Sequence, residues 1–204
     1  MSTDTELVAT LAALTEPSDA DVRRLHRRLV ATAADAGVLD LTYRTIDTPV
    51  GPLLLAATEI GLVRVAFAVE DHDAVLQGLA DRISPRILRS SARLDDVARE
   101  IDEYFTGRRH TFDLALDWRL STGFRHAVLR VLPAIAYGRT ASYAEVARLA
   151  GSPKAVRAVG SACASNPLPV VVPCHRVIRS DGAMGGYLGG AEAKHALLDL
   201  EAAA

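Results

Sequence analysis

The chain has 204 residues, half of them hydrophobic and 24% charged, with a formal net charge of −2 and only two cysteines. This is an ordinary globular composition, long enough for one large domain or two small ones sharing a core. It argues against a disulfide framework, a zinc-spaced cysteine–histidine cluster and, with no apolar run near the ~18 residues of a span, a membrane protein.

The opening MSTDTELVATLAAL reads as helical but has neither a basic leader nor a cleavage pattern. The expectation is a chain without a secretory signal, working in a reducing cytoplasm. Ser18 predicts the N-cap of a second helix that stops near Gly37. LDLTYRTIDTP, GPLLLAAT and GLVRVAF predict an antiparallel meander. DHDAVLQGLADRI predicts a helix, ILRS a short strand and LDDVAREIDEYFTG another helix, while TFDLALDW alternates as a half-buried strand does.

After about residue 117 strand patterns nearly vanish. FRHAVLRVLPAI predicts a helix that Pro133 kinks or ends. In ASYAEVARLAG, Ser142 and Glu145 form a capping box, Tyr143 takes the first helical position and Gly151 closes the helix. PKAVRAVGSACASN follows as a second helix with Pro153 near its first position, and Val156, Val159 and Cys163 facing inward. The pair predicts a helix-turn-helix, a pattern common by chance. AEAKHALLDLE makes a terminal helix. The fold class is α+β. Residues 1–38 form a helical extension, 39–116 an α/β domain with a small antiparallel sheet, and 117–204 a mostly helical domain.

Charge divides along the same line. Residues 1–116 carry 13 Lys+Arg against 19 Asp+Glu, and residues 117–204 carry 10 against 6. Arg148, Lys154, Arg157, Arg176 and Arg179 fall in a stretch, 146–180, that has no acid. Such a surface suits a polyanion, although from charge alone a solvated basic face is the slightly better reading.

The two cysteines read differently. Cys163 lies on the inward face of its helix, as an inert core residue does. Cys174 ends the apolar run PVVVP, where Pro173 steers the backbone, and His175, Arg176 and Arg179 beside it favour a thiolate. On an extended backbone His175 points away from Cys174, so it acts through a bridging water, polarised by a second group. The downstream GAMGGYLGG lets backbone approach a flat ligand closely, or is a plain surface connection.

PCHRVI, preceded by NPLPVVV and followed by GGYLGG, resembles the O6-alkylguanine-DNA alkyltransferases. The likeness runs upstream through YGRTASYAEVARLAGSPKAVRAVGSACASNP and TPVGPLLLAATEIGLVRVAF, covering roughly residues 40–201. The resemblance implies single-turnover DNA repair without a cofactor or metal, in which Cys174 takes an alkyl group from O6-alkylguanine flipped out of the duplex. O4-alkylthymine stays open as a further substrate.

By the same resemblance His175 is the water-bridged base, Glu201 holds it, and Asn166 pins the turn from recognition helix to active-site strand. Tyr143 donates to the guanine, Arg157 fills the gap left by the flipped nucleotide, and Ala155 and Ser180 join the DNA contacts. Val177, Met184, Tyr187 and Leu188 line the base pocket. The implied partner is double-stranded DNA through its minor groove, with no membrane; the protein is a monomer, and cooperative binding stays open.

The sequence departs from that family at Leu188, where several members have serine, and it lacks the N-terminal cysteines of the zinc site that some members carry. Residues 1–38 lie outside the likeness. The rivals from other classes are a helix-turn-helix regulator without chemistry, against which Cys174 argues, and a cysteine hydrolase, for which adjacent His175 is awkwardly placed.

Overall fold

In the computed structural model, residues 17–91 and 93–203 are described. The helix expected over residues 1–14 lies outside them. The chain divides into two compact units, Met1–Leu39 and Asp40–Ala204. The described part of the first holds α1 (Asp19–Asp35), whose first turn is capped as predicted, with the Asp21 N–H donating to Ser18 Oγ at 3.2 Å. It ends ahead of Gly37, which takes a φ of 65°.

In the second unit the three apolar runs pair as the predicted meander: β1 (Leu41–Ile46), β2 (Leu53–Ala57) and β3 (Leu62–Phe67). After α2 (His72–Arg82), the short β4 (Ile87–Arg89) returns parallel to β1, giving the order β3-β2-β1-β4. Every residue of β2 is buried. Leu53, Leu55 and Ala57 enter one core cluster and Leu54 and Ala56 another, as a period of two requires. Cutting Leu55 to Ala costs roughly 2–5 kcal/mol.

α2 covers the second face with Leu79, and α3 (Asp95–Phe105) brings Val97, Ile101 and Tyr104 to the first. That same cluster continues through Val128, Leu129, Val146, Val159 and Leu197 of the C-terminal helices, so both halves of this unit share one core.

Residues 111–118 depart from their strand reading. A single bridge, Leu62 to Leu116, is all that forms. Asp117 ends it by turning its carboxylate onto the Arg119 N–H and starting the 3-10 turn Trp118–Leu120.

α4 (Gly123–Val131) closes in the turn Leu132–Ala134, where Pro133 has no N–H to continue the helix. α5 (Tyr143–Leu149) and α6 (Val156–Ala164) form the helix-turn-helix, and both bonds of the Ser142/Glu145 capping box are made. α6 begins later than predicted. Pro153 lies in a turn that the Ala155 N–H closes on the Ser152 carbonyl (2.9 Å). Val156 consequently falls in the first turn and is 37% exposed, while Val159 and Cys163 are buried. α7 (Gly190–Ala202) ends the unit.

The largest correction concerns PVVVP. Burial is as complete as its apolarity predicts, but the segment is a turn, not a strand. Pro167, Pro169 and Pro173 remove the N–H groups that a ladder needs. The Val172 N–H turns back to the Leu168 carbonyl and the Cys174 N–H to the Val172 carbonyl, both at 2.8 Å. The strand pairing in this half is instead minimal: β5 (Ala141–Ser142) runs parallel to β6 (Val177–Ile178), joining the start of α5 to the residues just after Cys174. Among the described residues no helix is long and apolar enough to cross a membrane.

Candidate active site

Cys174, His175 and Arg176 make one 3-10 turn at the end of the buried loop, and all three side chains are buried. Upstream, Val170 takes a φ of 72°, a conformation that costs a β-branched residue roughly 1–3 kcal/mol. The loop is held against this strain by Asn166. Its Nδ2 donates to the Val172 carbonyl (2.9 Å) and to Cys174 Sγ (3.1 Å), and its Oδ1 accepts from the Leu168 N–H (3.0 Å). β3 holds the same turn from the other side. The Val65 N–H donates to the Pro167 carbonyl at 2.8 Å, and Arg64, ion-paired with Glu70, reaches the Asn166 carbonyl at 3.4 Å.

Cys174 is 2% exposed. Burial pushes its pKa up to about 11, against the opposing pull of the Asn166 hydrogen bond and the Lys194 charge. The resting group is therefore a thiol, contrary to the thiolate that neighbouring basic residues suggest. Those residues are committed elsewhere. Arg179 is exposed and paired with Asp181 at 3.0 Å. Arg176 turns to Glu201 and to the Ile135 carbonyl (2.6 Å).

Behind the thiol lies a buried polar cluster. His175 is fully buried, and its Nε2 is 2.8 Å from Glu201 Oε1. The same oxygen accepts from Tyr104 Oη (2.7 Å) and Arg176 Nη2 (2.9 Å); Oε2 accepts from Arg176 Nε (2.8 Å) and the Gly138 N–H (3.2 Å). Gly138, at φ 69°, allows this approach, because a Cβ there would stand 2.9 Å from the Glu201 carbonyl.

Burial alone would raise the Glu201 pKa, but hydrogen bonds from His175, Arg176 and Tyr104 outweigh it and carry the group down to about 2. Burial lowers the His175 pKa and outweighs the raising effect of Glu201, so the imidazole is neutral near pH 7. An ionised carboxylate only accepts, so the imidazole proton is on Nε2. Nδ1, buried with no partner among the described residues, is left as the basic nitrogen. The 3-10 geometry replaces the extended backbone expected here, but the consequence is the same: Sγ bonds to Asn166 rather than to the imidazole.

Tyr143, at the first position of α5, is half-buried between α6 and the glycine-rich loop. A Cβ on Gly185 would stand 2.2 Å from its hydroxyl, so only glycine lets the loop lie there. Tyr187 packs edge-on against His175 (6.3 Å between ring centres) and Phe67 (5.6 Å). Val177 is buried, and its carbonyl accepts from Lys194 Nζ at 2.7 Å.

The structure thus brings together Cys174, His175, Glu201, Asn166, Val177 and Tyr187, with Tyr143 beside the loop. Arg157, Ser180 and Met184 are exposed, and Ala155 caps α6 without a side-chain bond. Leu188 lines a cavity of ≈ 270 Å³ with Arg64, Arg125 and Pro167. No cluster of three potential metal ligands occurs among the described residues.

Sequence reading missed Tyr104 and Lys194. Tyr104 lies on the apolar stripe of α3 and reads as core; the one clue is that a buried tyrosine hydroxyl needs a partner. Lys194, 1% exposed, is a lone cation on the buried side of α7.

A helix-turn-helix joined by a two-residue ladder to a buried cysteine, itself backed by an imidazole–carboxylate pair, defines a cysteine-centred transferase with a nucleic-acid-binding element. Comparison with known proteins is more specific. Residues 41–118 match the family model described as the ribonuclease-like domain of 6-O-methylguanine DNA methyltransferase, and residues 123–203 match its DNA binding domain. The constitutive methylated-DNA–protein-cysteine methyltransferase of Bacillus subtilis is 39% identical over 163 residues, covering 78% of this chain and 94% of the relative.

The Mycobacterium tuberculosis O6-methylguanine methyltransferase structure superposes with a TM-score of 0.70 at 37% identity, covering 80% of this chain and 93% of that one. A second Mycobacterium tuberculosis structure, solved in complex with DNA, gives 0.69 at 37% identity, over 79% and 93%. The chain belongs to the methylated-DNA–protein-cysteine methyltransferase family. Its activity is DNA repair by alkyl transfer to a protein cysteine.

Proposed function

We propose that the acceptor is Cys174, that the substrate is O6-alkylguanine swung out of the duplex, and that each molecule reacts once. A base inside the stack cannot reach a sulfur this deeply placed, so the nucleotide flips, at a cost of a few kcal/mol. Arg157, exposed on the first turn of α6, fills the vacated space and offsets part of that cost. The small residues of α6 (VRAVGSACA) favour close approach to the minor-groove walls and offer little base-specific readout, which suits a protein that must scan any sequence. Ala155 and Ser180 flank this contact.

The thiol proton passes by way of a water to His175 Nδ1 as sulfur attacks the alkyl carbon. The C–O bond breaks with its electron pair going to the guanine, which takes up a proton with help from the Tyr143 hydroxyl. The products are guanine and a thioether that no neighbouring group is placed to cleave. Val177, Tyr187, Leu188 and Met184 surround the base. O4-alkylthymine is a candidate second substrate.

The observation that carries this reading is the 2.8 Å contact of His175 Nε2 with Glu201, which holds the proton there and leaves Nδ1, buried without a partner among the described residues, as the basic nitrogen next in the chain to Cys174. The two unpaired cysteines support a reducing, cytoplasmic setting, and the protein is read as a monomer on DNA.

Incubation with duplex DNA carrying one O6-methylguanine tests it, read by intact and peptide mass. One methyl group on Cys174, absent from Cys174→Ala, is expected. Repeated turnover, or methyl on Cys163 instead, rejects it.

A further inference from the structure

The N-terminal half does more than support the catalytic turn. From α3 it sends a hydroxyl into the relay: Tyr104 Oη is 2.7 Å from Glu201 Oε1 and 3.4 Å from His175 Nε2. The phenol is fully buried and locked by Phe105, Phe112 and Tyr137, whose ring centres lie 5.3, 5.4 and 6.0 Å away. Glu201 accepts only, so the Tyr104 proton points at Oε1, the same oxygen that polarises His175. Three donors share that one oxygen, and they compete. What Tyr104 and Arg176 withdraw from Oε1 is not available to strengthen the imidazole.

We propose that Tyr104 is a positioning residue that sets the basicity of His175 by sharing Glu201 Oε1 with it. This rests on the reading of Cys174 and His175 given above and deepens it. Other charged and titratable groups face the pair from several elements. Arg176 flanks it from the catalytic turn; Lys194 projects from α7; Tyr187 comes from the glycine-rich loop, and Cys174 precedes the imidazole. Tyr137, stacked on His110 at 4.1 Å and 5.7 Å under the Arg176 guanidinium, packs against Tyr104. Among these only His175, Arg176 and Tyr104 hydrogen-bond Oε1, and of those three Tyr104 alone comes from the N-terminal half.

Removing the hydroxyl concentrates the carboxylate's charge on the imidazole, so His175 becomes a stronger base and holds its proton to higher pH. A purely structural tyrosine would change stability, and with it the amount of active protein, without moving that titration.

The test is Tyr104→Phe in the full chain, with pseudo-first-order methyl transfer to Cys174 measured from pH 5 to 8, and the His175 ring followed by NMR over the same range. The expected result is an inflection raised by roughly half a unit to one unit, in both the rate profile and the ring titration. Should that variant fail to fold, 3,5-difluorotyrosine at position 104, a stronger donor of the same shape, is expected to move the ring titration downward.

An unmoved titration in a folded variant overturns the proposal while leaving the acceptor reading intact, provided Cys174 still takes up one methyl. A parent protein that never labels Cys174 overturns both.

Discussion

The floor and the roof of the site are built on opposite rules. On the floor Tyr104, His175, Arg176 and Glu201 are each no more than 5% exposed, and the carboxylate has a donor in every direction. On the roof Arg157, Arg179, Ser180 and Met184 face solvent, and the backbone is thick with glycine and alanine. Every side-chain polar atom of the four floor residues except His175 Nδ1 has a partner among the described residues, and a buried network so nearly satisfied is fixed before substrate arrives. The roof leaves Arg157 open to phosphate, with Arg179 held at the surface on Asp181, and its backbone free to meet a base. Chemistry is preorganised below, and recognition is left open above.

The contrast breaks most visibly at Glu201. Glu201→Gln leaves Arg176 as a buried charge without its partner, which costs roughly 3–5 kcal/mol by urea denaturation. The imidazole is no longer oriented, and methyl transfer falls on the order of 100-fold or more. If transfer survives at the parent rate, the relay is ornamental. Asn166→Ala comes next. It strands the Leu168 N–H, takes from the Val172 carbonyl one of its two donors, for about 1–3 kcal/mol, and frees the sulfur to move.

Acid then separates the two regions. His175 has a lowered pKa in the fold, so the unfolded chain takes up its proton first. The stability this group contributes is present above pH 6.5 and lost as pH falls through its folded value. Glu201 adds a second loss between 4.5 and about 2. Cys174 acts at the other end, its contribution held below pH 9 and lost as pH rises toward about 11. Transfer is therefore expected to be flat through neutrality and to fall in acid; a steep rise from pH 7 to 9 would instead report a freely titrating thiol.

On the roof, Arg157→Ala is expected to slow repair in duplex DNA by about tenfold, with stability within about 0.5 kcal/mol of the parent. Its reaction with free O6-benzylguanine is expected to be unchanged. Equal slowing on both substrates would mean that Arg157 belongs to the floor. The smallest effect is assigned to Arg99→Ala, which breaks the exposed pairs to Asp96 and Glu103 and is expected to change stability by under about 1 kcal/mol.

Much of this architecture is local and was legible in the chain. Apolar runs bounded by tight turns placed the meander, Ser18 and the Ser142/Glu145 box placed two helix starts, and Pro133 placed an end; each depends on neighbours within a few residues. The PCHRVI stretch carried the family likeness. What the sequence left undecided was whether a buried run is a strand or a turn. Apolarity reports burial, whereas prolines and one asparagine decided the shape of 167–173.

Only the tertiary structure could show that Arg176 serves Glu201 rather than the thiol, that Cys174 rests protonated, and that Tyr104 joins the relay. Those facts rest on partners far apart in the chain, 71 residues from Tyr104 to His175 and 97 from Tyr104 to Glu201. Periodicity can announce that a side chain goes inside, but which groups it meets there, and hence its charge, is set by how distant elements dock.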